Sequence, residues 1–91
     1  MENDINPVQL RAARALIGWS RGALAEAAGT TERTIARIED GDTAPRQSTV
    51  AAIQSALEAA GVDFIPAGRY QGDGGAGVRL RNGVAQLPVS V

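Results

Sequence analysis

Glycine divides this chain into two unequal parts. Of its 11 glycines, 7 lie after residue 60, whereas alanine is abundant before that point. A helix tolerates glycine poorly, because fixing its backbone costs about 1 kcal/mol more than fixing that of alanine. The distribution therefore predicts a helical body over residues 7–60 and a segment of strands and loops beyond it.

Cap signals divide the body into four helices. The predicted N-caps are Asn6, Ser20, Thr31 and Ser48, and the predicted stops are Gly18, Gly29, Gly41 and Gly61. The side chains of such N-caps accept a backbone N–H of the first turn, and glycine readily ends a helix. Asn6 is reinforced by Pro7 at the first helical position and by Gln9 in a capping box.

The segment beyond residue 60 contains two candidate strands, 62–65 and 78–81, with the residues 66–76 as a glycine-rich loop between them. Pro88 limits the segment 84–91 to an edge strand at most. The predicted organisation is a flexible N-terminus (1–6), a helical domain (7–60), strands that pack on it or dimerise (61–83) and a C-terminal tail (84–91). The predicted fold class is mainly α, with four helices and a two-strand β segment.

Composition excludes several kinds of chemistry. There is no cysteine and no histidine, so disulfides, zinc-thiolate sites and the commonest general base are absent. No apolar run has the roughly 18 residues of a membrane span, and the chain begins with acidic rather than basic residues. We therefore expect a cytoplasmic protein that is not an enzyme, with no metal, no cofactor and no membrane association.

The charge balance taken as a sum speaks mildly against DNA binding. Nine arginines and no lysine oppose ten acidic residues, which gives a net charge of -1 and a pI near 5.2. A protein that binds DNA by electrostatics alone is usually basic. This sum leaves open whether the arginines are gathered on one surface.

The junction of helices 2 and 3 carries most of the information. The helices predicted at 21–28 and 32–40 are joined by Gly29-Thr30-Thr31. A short turn with glycine between two steeply crossing helices is typical of a helix-turn-helix, whose second helix enters the major groove. A plain helical hairpin in a small bundle fits this junction equally well.

The two sides of helix 3 favour the first interpretation. At about 100° per residue, Ile35 and Ile38 fall on one side and Arg33 and Arg37 on the other, with the small Ala36 between the arginines. Arginine binds guanine through two hydrogen bonds or holds a phosphate. Any solvated helix can also show such a face.

The segment from Gly18 to Gly41, together with Thr43-Ala44-Pro45-Arg46, resembles the helix-turn-helix of Cro/CI and Xre-type repressors of bacteria and phages. The resemblance covers residues 8–60. It rests on the combined pattern of Leu24-Ala25, Gly29, Ile35, Ile38-Glu39, Gly41 and Pro45. It implies a four-helix, lambda-repressor-like domain.

The resemblance implies roles for individual residues. Those implied to face base edges are Thr31, Glu32, Arg33 and Arg37, and those implied to lie at phosphates are Arg21, Thr34, Asp40 and Arg46. The family pattern favours glutamine at position 21 and often asparagine at position 40. Arg14 stands where these repressors place an arginine that pairs with a carboxylate. Because Glu39 points to the buried side of helix 3, we expect a structural Arg14–Glu39 ion pair.

Gly72-Asp73-Gly74-Gly75-Ala76-Gly77 matches a dinucleotide-binding fingerprint letter by letter. That fingerprint requires a strand before it and a helix after it, whereas a strand-like segment follows here. We interpret it as a flexible loop. Arg79 and Arg81 lie on one strand face, which is more typical of solvated residues than of DNA or partner contacts.

The sequence thus predicts a DNA-binding transcriptional regulator, most simply a repressor, that binds a double-stranded operator as a homodimer. Its recognition helix would be 32–40. The alternative is a protein-binding helix-turn-helix module, such as an antitoxin or an anti-activator, that sequesters a partner protein.

Overall fold

The structure, a computed structural model, describes residues 5–42, 44–66, 68–69 and 73–81. The helices are α1 (Pro7–Ile17), α2 (Arg21–Ala28), α3 (Glu32–Glu39) and α4 (Gln47–Ala59). The strands are β1 (Val62–Ile65), β2 (Gly68–Arg69), β3 (Asp73–Gly74) and β4 (Gly77–Leu80). The described part is mainly helical, with strands only after α4, which confirms the predicted fold class. The predicted tail 84–91 lies outside the described residues.

The first three predicted helix starts are confirmed. The Asn6 side chain accepts from the Gln9 amide at 2.7 Å, and the Gln9 side chain accepts from the Asn6 amide, so the capping box is complete. The Ser20 and Thr31 side chains cap α2 and α3 by accepting the Ala23 and Thr34 amides.

Two predicted helix bounds are wrong by one or two residues. α3 ends at Glu39, and Asp40 is its C-cap. α4 begins at Gln47 with Arg46 as its N-cap, without a side-chain cap, so Ser48 lies inside the first turn. The buried residues of α4, Ile53 and Leu57, lie well inside the helix and therefore do not determine where it begins.

The hydrophobic core lies between the helices and β1. Its buried residues are Leu10, Ala13, Ile17, Leu24, Ala25, Ile35, Ile38, Ile53, Leu57 and Val62. Every helix contributes at least two of them, and Val62 contributes from β1. Because all the helices share one core, a change in α1 or α4 also acts on the position of α3.

The strands β1 and β4 form an antiparallel pair that covers the core. Both strands were predicted, and β4 lies one residue before the predicted 78–81. Val62 lies opposite Leu80 and Phe64 opposite Val78, and the half-buried Phe64, Val78 and Leu80 pack against the core. On the other face, Asp63 accepts from Arg81 at 3.0 Å and lies 3.5 Å from Arg79. The two arginines are thus in ion pairs at this strand face.

The glycine-rich segment is not a simple loop. Its residues Gly68 and Arg69 pair with Gly74 and Asp73, in the same register as the pair β1–β4. Low side-chain volume obscured the alternation by which strands are recognised in a sequence. No helix follows the glycine motif at 72–77 within the described residues, since β4 begins at Gly77.

Gln9 joins α1 to the hairpin formed by the antiparallel strands β1 to β4. The residue is 4% exposed, and its side-chain amide nitrogen donates to the carbonyl oxygens of Gly77 at 2.9 Å and Ile65 at 3.4 Å. One residue therefore completes the cap of α1 and satisfies the end of the β1–β4 pair.

We predict that Gln9→Ala lowers the free energy of unfolding by about 2 kcal/mol, because it removes half of a capping box and leaves carbonyl oxygens without their donor. Gln54, whose side chain donates to Glu58 on the same helix at 3.0 Å, is the matched control. Gln54→Ala should change the stability by no more than about 0.5 kcal/mol. Urea unfolding followed by circular dichroism measures both changes in stability. Equal effects of the two substitutions would contradict the role of Gln9 in joining α1 to the β1–β4 pair.

Candidate nucleic-acid interface

The turn between α2 and α3 is fixed by its backbone. Gly29 has φ 72°, a left-handed conformation that favours glycine, and the Thr30 amide donates to the Ala25 carbonyl at 2.9 Å. Thr31 then leaves the turn in an extended conformation and caps α3. Its hydroxyl also donates to the Thr34 hydroxyl at 2.9 Å. These three residues therefore form a short turn of defined backbone conformation between α2 and α3.

The helix α3 has one buried and one exposed side, as predicted. Ile35, Ile38 and Glu39 are buried, whereas Arg33 and Arg37 are exposed. Among the other residues implied to contact DNA, Thr31, Glu32, Asp40 and Arg46 are exposed and Thr34 and Arg21 are half-buried. The exposed side of α3 can thus approach a flat or grooved partner without rearranging the core.

A polar groove of about 390 Å³ lies beside the C-terminal half of α3. Its lining includes Thr34 and Arg37 of α3 together with Arg46 and Thr49 at the start of α4. The first turn of α4 contains no acidic residue. Two guanidinium groups and the N-terminus of a helix therefore give this groove a positive potential, which suits an anion.

Glu39 occupies the buried side of α3 and is held by two arginines. Its carboxylate accepts from Arg14 Nε at 2.6 Å, from Arg14 Nη2 at 3.0 Å and from Arg21 Nε at 2.9 Å. The side chain of Glu39 has no exposed surface. The contact thus joins α1, α2 and α3 through one charged group.

The surroundings of Glu39 shift its pKa in two opposing ways. Burial raises the pKa of Glu39. The hydrogen bonds from Arg14 and Arg21 and their two positive charges together lower it by more than burial raises it, so that the pKa of Glu39 lies below the ordinary value of 4.5. The hydrogen bond to Glu39 in turn raises the pKa of Arg14. The pair is therefore fully charged at neutral pH.

The sequence did not predict two of the contacts that Glu39 makes. Arg21 was expected at a phosphate, yet its Nε is bonded to Glu39. Arg11 donates to the backbone carbonyl of Glu39 at the end of α3. The signal for Arg11 was its place one turn before Arg14 on α1, because a cation on that face meets the negative end of the helix against which it packs.

Two acidic side chains, those of Asp40 and Glu32, lie next to the first residues of α2. Asp40 Oδ1 lies 3.6 Å from Arg21 Nη2. A methyl group added at Gly22 would lie 3.4 Å from Glu32 Oε1 and 3.8 Å from Ser20 Oγ. The carboxylate of Glu32 therefore lies next to the first turn of α2, in addition to being on the exposed side of α3.

Comparison with known proteins identifies the family. A family profile described as "Helix-turn-helix domain" matches residues 8–64, which is more than half of the chain. The chain belongs to the helix-turn-helix family. The helix-turn-helix that the sequence predicts is therefore confirmed.

One solved structure similar to this helix-turn-helix chain is the DNA-binding domain of the P22 C2 repressor, residues 1–76, determined by nuclear magnetic resonance in solution. The TM-score is 0.56 at 24% sequence identity, over 64% of this chain and 76% of that one. At this identity the likeness shows a shared fold. No curated protein sequence matches the chain significantly.

Two further findings concern the described part of this helix-turn-helix protein. None of its helices is long and apolar enough to cross a membrane. It also contains no group of three or more acidic side chains placed to hold a metal ion.

We predict that the stability of the protein falls as the pH decreases below about 4.5. A carboxyl group with a lowered pKa in the folded state stabilises the fold at a pH above its unfolded pKa, and this contribution is lost as the pH falls through the folded value. Urea unfolding between pH 7 and pH 3 measures it. The less stable variant Glu39→Gln should show a shallower pH dependence, and an unchanged slope would contradict the assignment.

We predict that Arg14→Ala lowers the free energy of unfolding by about 3 kcal/mol, because it leaves a buried carboxylate with only one of its two arginines. The exposed Arg37 is the control, and Arg37→Ala should change the stability by no more than about 0.5 kcal/mol. Thermal unfolding compares the variants. Equal melting temperatures for Arg14→Ala and the wild-type protein would overturn this structural role.

Proposed function

We propose that this protein is a cytoplasmic regulator of transcription, most simply a repressor, that binds a specific double-stranded operator with α3 in the major groove. The proposal is of a binding protein rather than of an enzyme. The observation that carries it is the division of α3 into an anchored side, with Ile35, Ile38 and Glu39, and an exposed side, with Arg33 and Arg37.

The exposed side of α3 supplies the groups that would read bases. Arg33 and Arg37 donate in the planar, paired geometry that suits guanine, and the Glu32 carboxylate can accept from the amino group of cytosine. The Thr31 hydroxyl lies at the N-terminus of the same helix. These side chains make α3 a reading surface, whereas a uniformly acidic or apolar face would not suit DNA.

The flanking elements supply the groups that would hold phosphates. The groove lined by Thr34, Arg37 and Arg46 offers two arginines and a hydroxyl to one side of α3. On the other side lies Arg21, whose Nε is bonded to Glu39 and whose Nη2 faces Asp40. Phosphate contacts on both sides would fix the register of α3 in the groove.

We propose in addition that the protein binds as a homodimer. Helix-turn-helix dimers contact two half-sites that lie about 34 Å apart, one turn of DNA. Sedimentation at binding concentrations tests this, with a palindromic duplex against a single half-site. A strictly monomeric protein that binds both duplexes equally would contradict dimeric binding and leave the DNA-binding proposal itself standing.

We predict that Arg33→Ala weakens binding to the operator by about 1–3 kcal/mol and reduces discrimination at one base pair, because a contact to a base edge is lost. Arg79→Ala on β4 removes the same charge away from α3 and serves as the matched control. The measurement is fluorescence anisotropy with a duplex from the protein's own promoter, titrated at several salt concentrations. Binding should weaken steeply with salt, since phosphate contacts release counterions.

The same titration tests the alternative function. Binding that never exceeds the non-specific level, with Arg33→Ala and Arg79→Ala indistinguishable, would contradict operator recognition. It would favour a module that sequesters a partner protein. Co-purification of a partner by the intact chain would then be the decisive observation.

A further inference from the structure

The start of α2 combines a donor for phosphate with carboxylates that oppose it. Arg21 is the first residue of this helix, and its side chain is 33% exposed. Its Nε is occupied by the buried Glu39, so the outer part of the guanidinium is what remains for a ligand. That outer part faces the half-exposed carboxylate of Asp40, with 3.6 Å between Nη2 and Oδ1.

A second carboxylate approaches the same place from the start of α3. A methyl group at Gly22 would lie 3.4 Å from Glu32 Oε1, which places this oxygen against the second residue of α2. The first amides of a helix carry partial positive charge that attracts anions. Two protein carboxylates are therefore next to the place where a DNA phosphate would approach α2.

We propose that Asp40 and Glu32 are selectivity residues that compete with DNA phosphate for the start of α2. This inference rests on the proposed function. A phosphate that reaches Arg21 must displace Asp40, and it must approach the negative charge of Glu32. Affinity for DNA of any sequence is lowered by this competition, because non-specific binding depends almost entirely on phosphate contacts.

The two carboxylates differ in whether a base of the operator can donate a hydrogen bond to them. Glu32 lies on the exposed side of α3, where a cytosine amino group can donate to it and offset the repulsion. Asp40 is the C-cap of α3 and lies beside Arg21, so its competition is the same for every sequence. Asp40 therefore sets the overall affinity, whereas Glu32 penalises sites that lack the matching base.

The test compares neutral variants that preserve side-chain shape. The test variants are Asp40→Asn and Glu32→Gln, and their controls are Asp42→Asn and Glu26→Gln, which remove one exposed negative charge each. The probe is a duplex of random sequence, and binding is measured by fluorescence anisotropy from 25 to 200 mM salt. Thermal unfolding of each variant verifies that it is folded.

Asp40→Asn should bind the random duplex about three- to fivefold more tightly at the lowest salt, the range of exposed ion pairs. Its dependence of log K on log salt should steepen by up to about one, as one further phosphate is engaged. Asp42→Asn should change the affinity less than twofold. Equal effects of the substitutions at positions 40 and 42 would mean that the gain in affinity comes from the change in net charge alone, and this would overturn the proposal.

A double-mutant cycle identifies Arg21 as the group for which phosphate and Asp40 compete. In an Arg21→Gln background, Asp40→Asn should no longer raise the affinity. The same increase in both backgrounds would overturn the competition.

Glu32→Gln should raise the affinity for random DNA more than for the operator, and Glu26→Gln should not. Equal gains on both duplexes would refute the part assigned to Glu32.

These outcomes are distinct from failure of the proposed function. If the wild-type protein and all four variants bind neither the operator nor random DNA, DNA binding itself is refuted and the selectivity proposal falls with it. If the wild-type protein binds DNA and the pairs of variants behave alike, only the selectivity proposal falls.

Discussion

The structure depends on one buried carboxylate. The Glu39 side chain has no exposed surface, and Arg14 of α1 and Arg21 of α2 both donate to it. Removing such a charge from water is costly, and the cost is offset only when the partners are close and hydrogen bonds satisfy its oxygens. The three groups belong to three different helices. A shift of α1, α2 or α3, or the loss of either arginine, would leave the buried carboxylate without one of its hydrogen-bond donors, and the contact therefore constrains how the three helices pack.

This contact connects stability to the proposed DNA interface. Glu39 lies on the buried side of α3, and Arg33 and Arg37 lie on its exposed side. Arg21 belongs to both regions, because its Nε holds Glu39 while its outer nitrogen faces Asp40 and solvent. A single side chain thus helps to position the helix and stands where a phosphate would approach. Its substitution would therefore affect folding and binding together, which is why Asp40 is the more informative position.

The hairpin extends the domain beyond the family match. That match ends at residue 64, within β1, so β2, β3 and β4 lie outside it. Val62 places an apolar side chain in the helical core, and Gln9 bonds to carbonyl oxygens of both long strands. The ion pairs of Asp63 with Arg79 and Arg81 occupy the opposite face. The described residues of the hairpin consequently pack on α1 and α4, whereas Arg33 and Arg37 of α3 are exposed.

The sequence by itself determined the helices, their caps and the two sides of α3. These features depend on local interactions: Asn6, Ser20 and Thr31 cap within three residues, and Ile35 and Ile38 share a side because of helical periodicity. The family pattern added the pairing of Arg14 with Glu39. The net charge of -1 did not indicate that Arg33 and Arg37 share the exposed side of α3, because a sum contains no information about where charges gather.

Only the tertiary structure decided which long-range contacts those residues make. It assigned Arg21 to Glu39 and Asp40, Arg11 to the end of α3, and Gln9 to the hairpin. It also revealed that β2 and β3 continue the hairpin within the glycine-rich segment. The physical reason is the range of the interactions. Caps and periodicity act over a few residues of the chain, whereas the partner of a long, flexible arginine is fixed only when distant segments pack together.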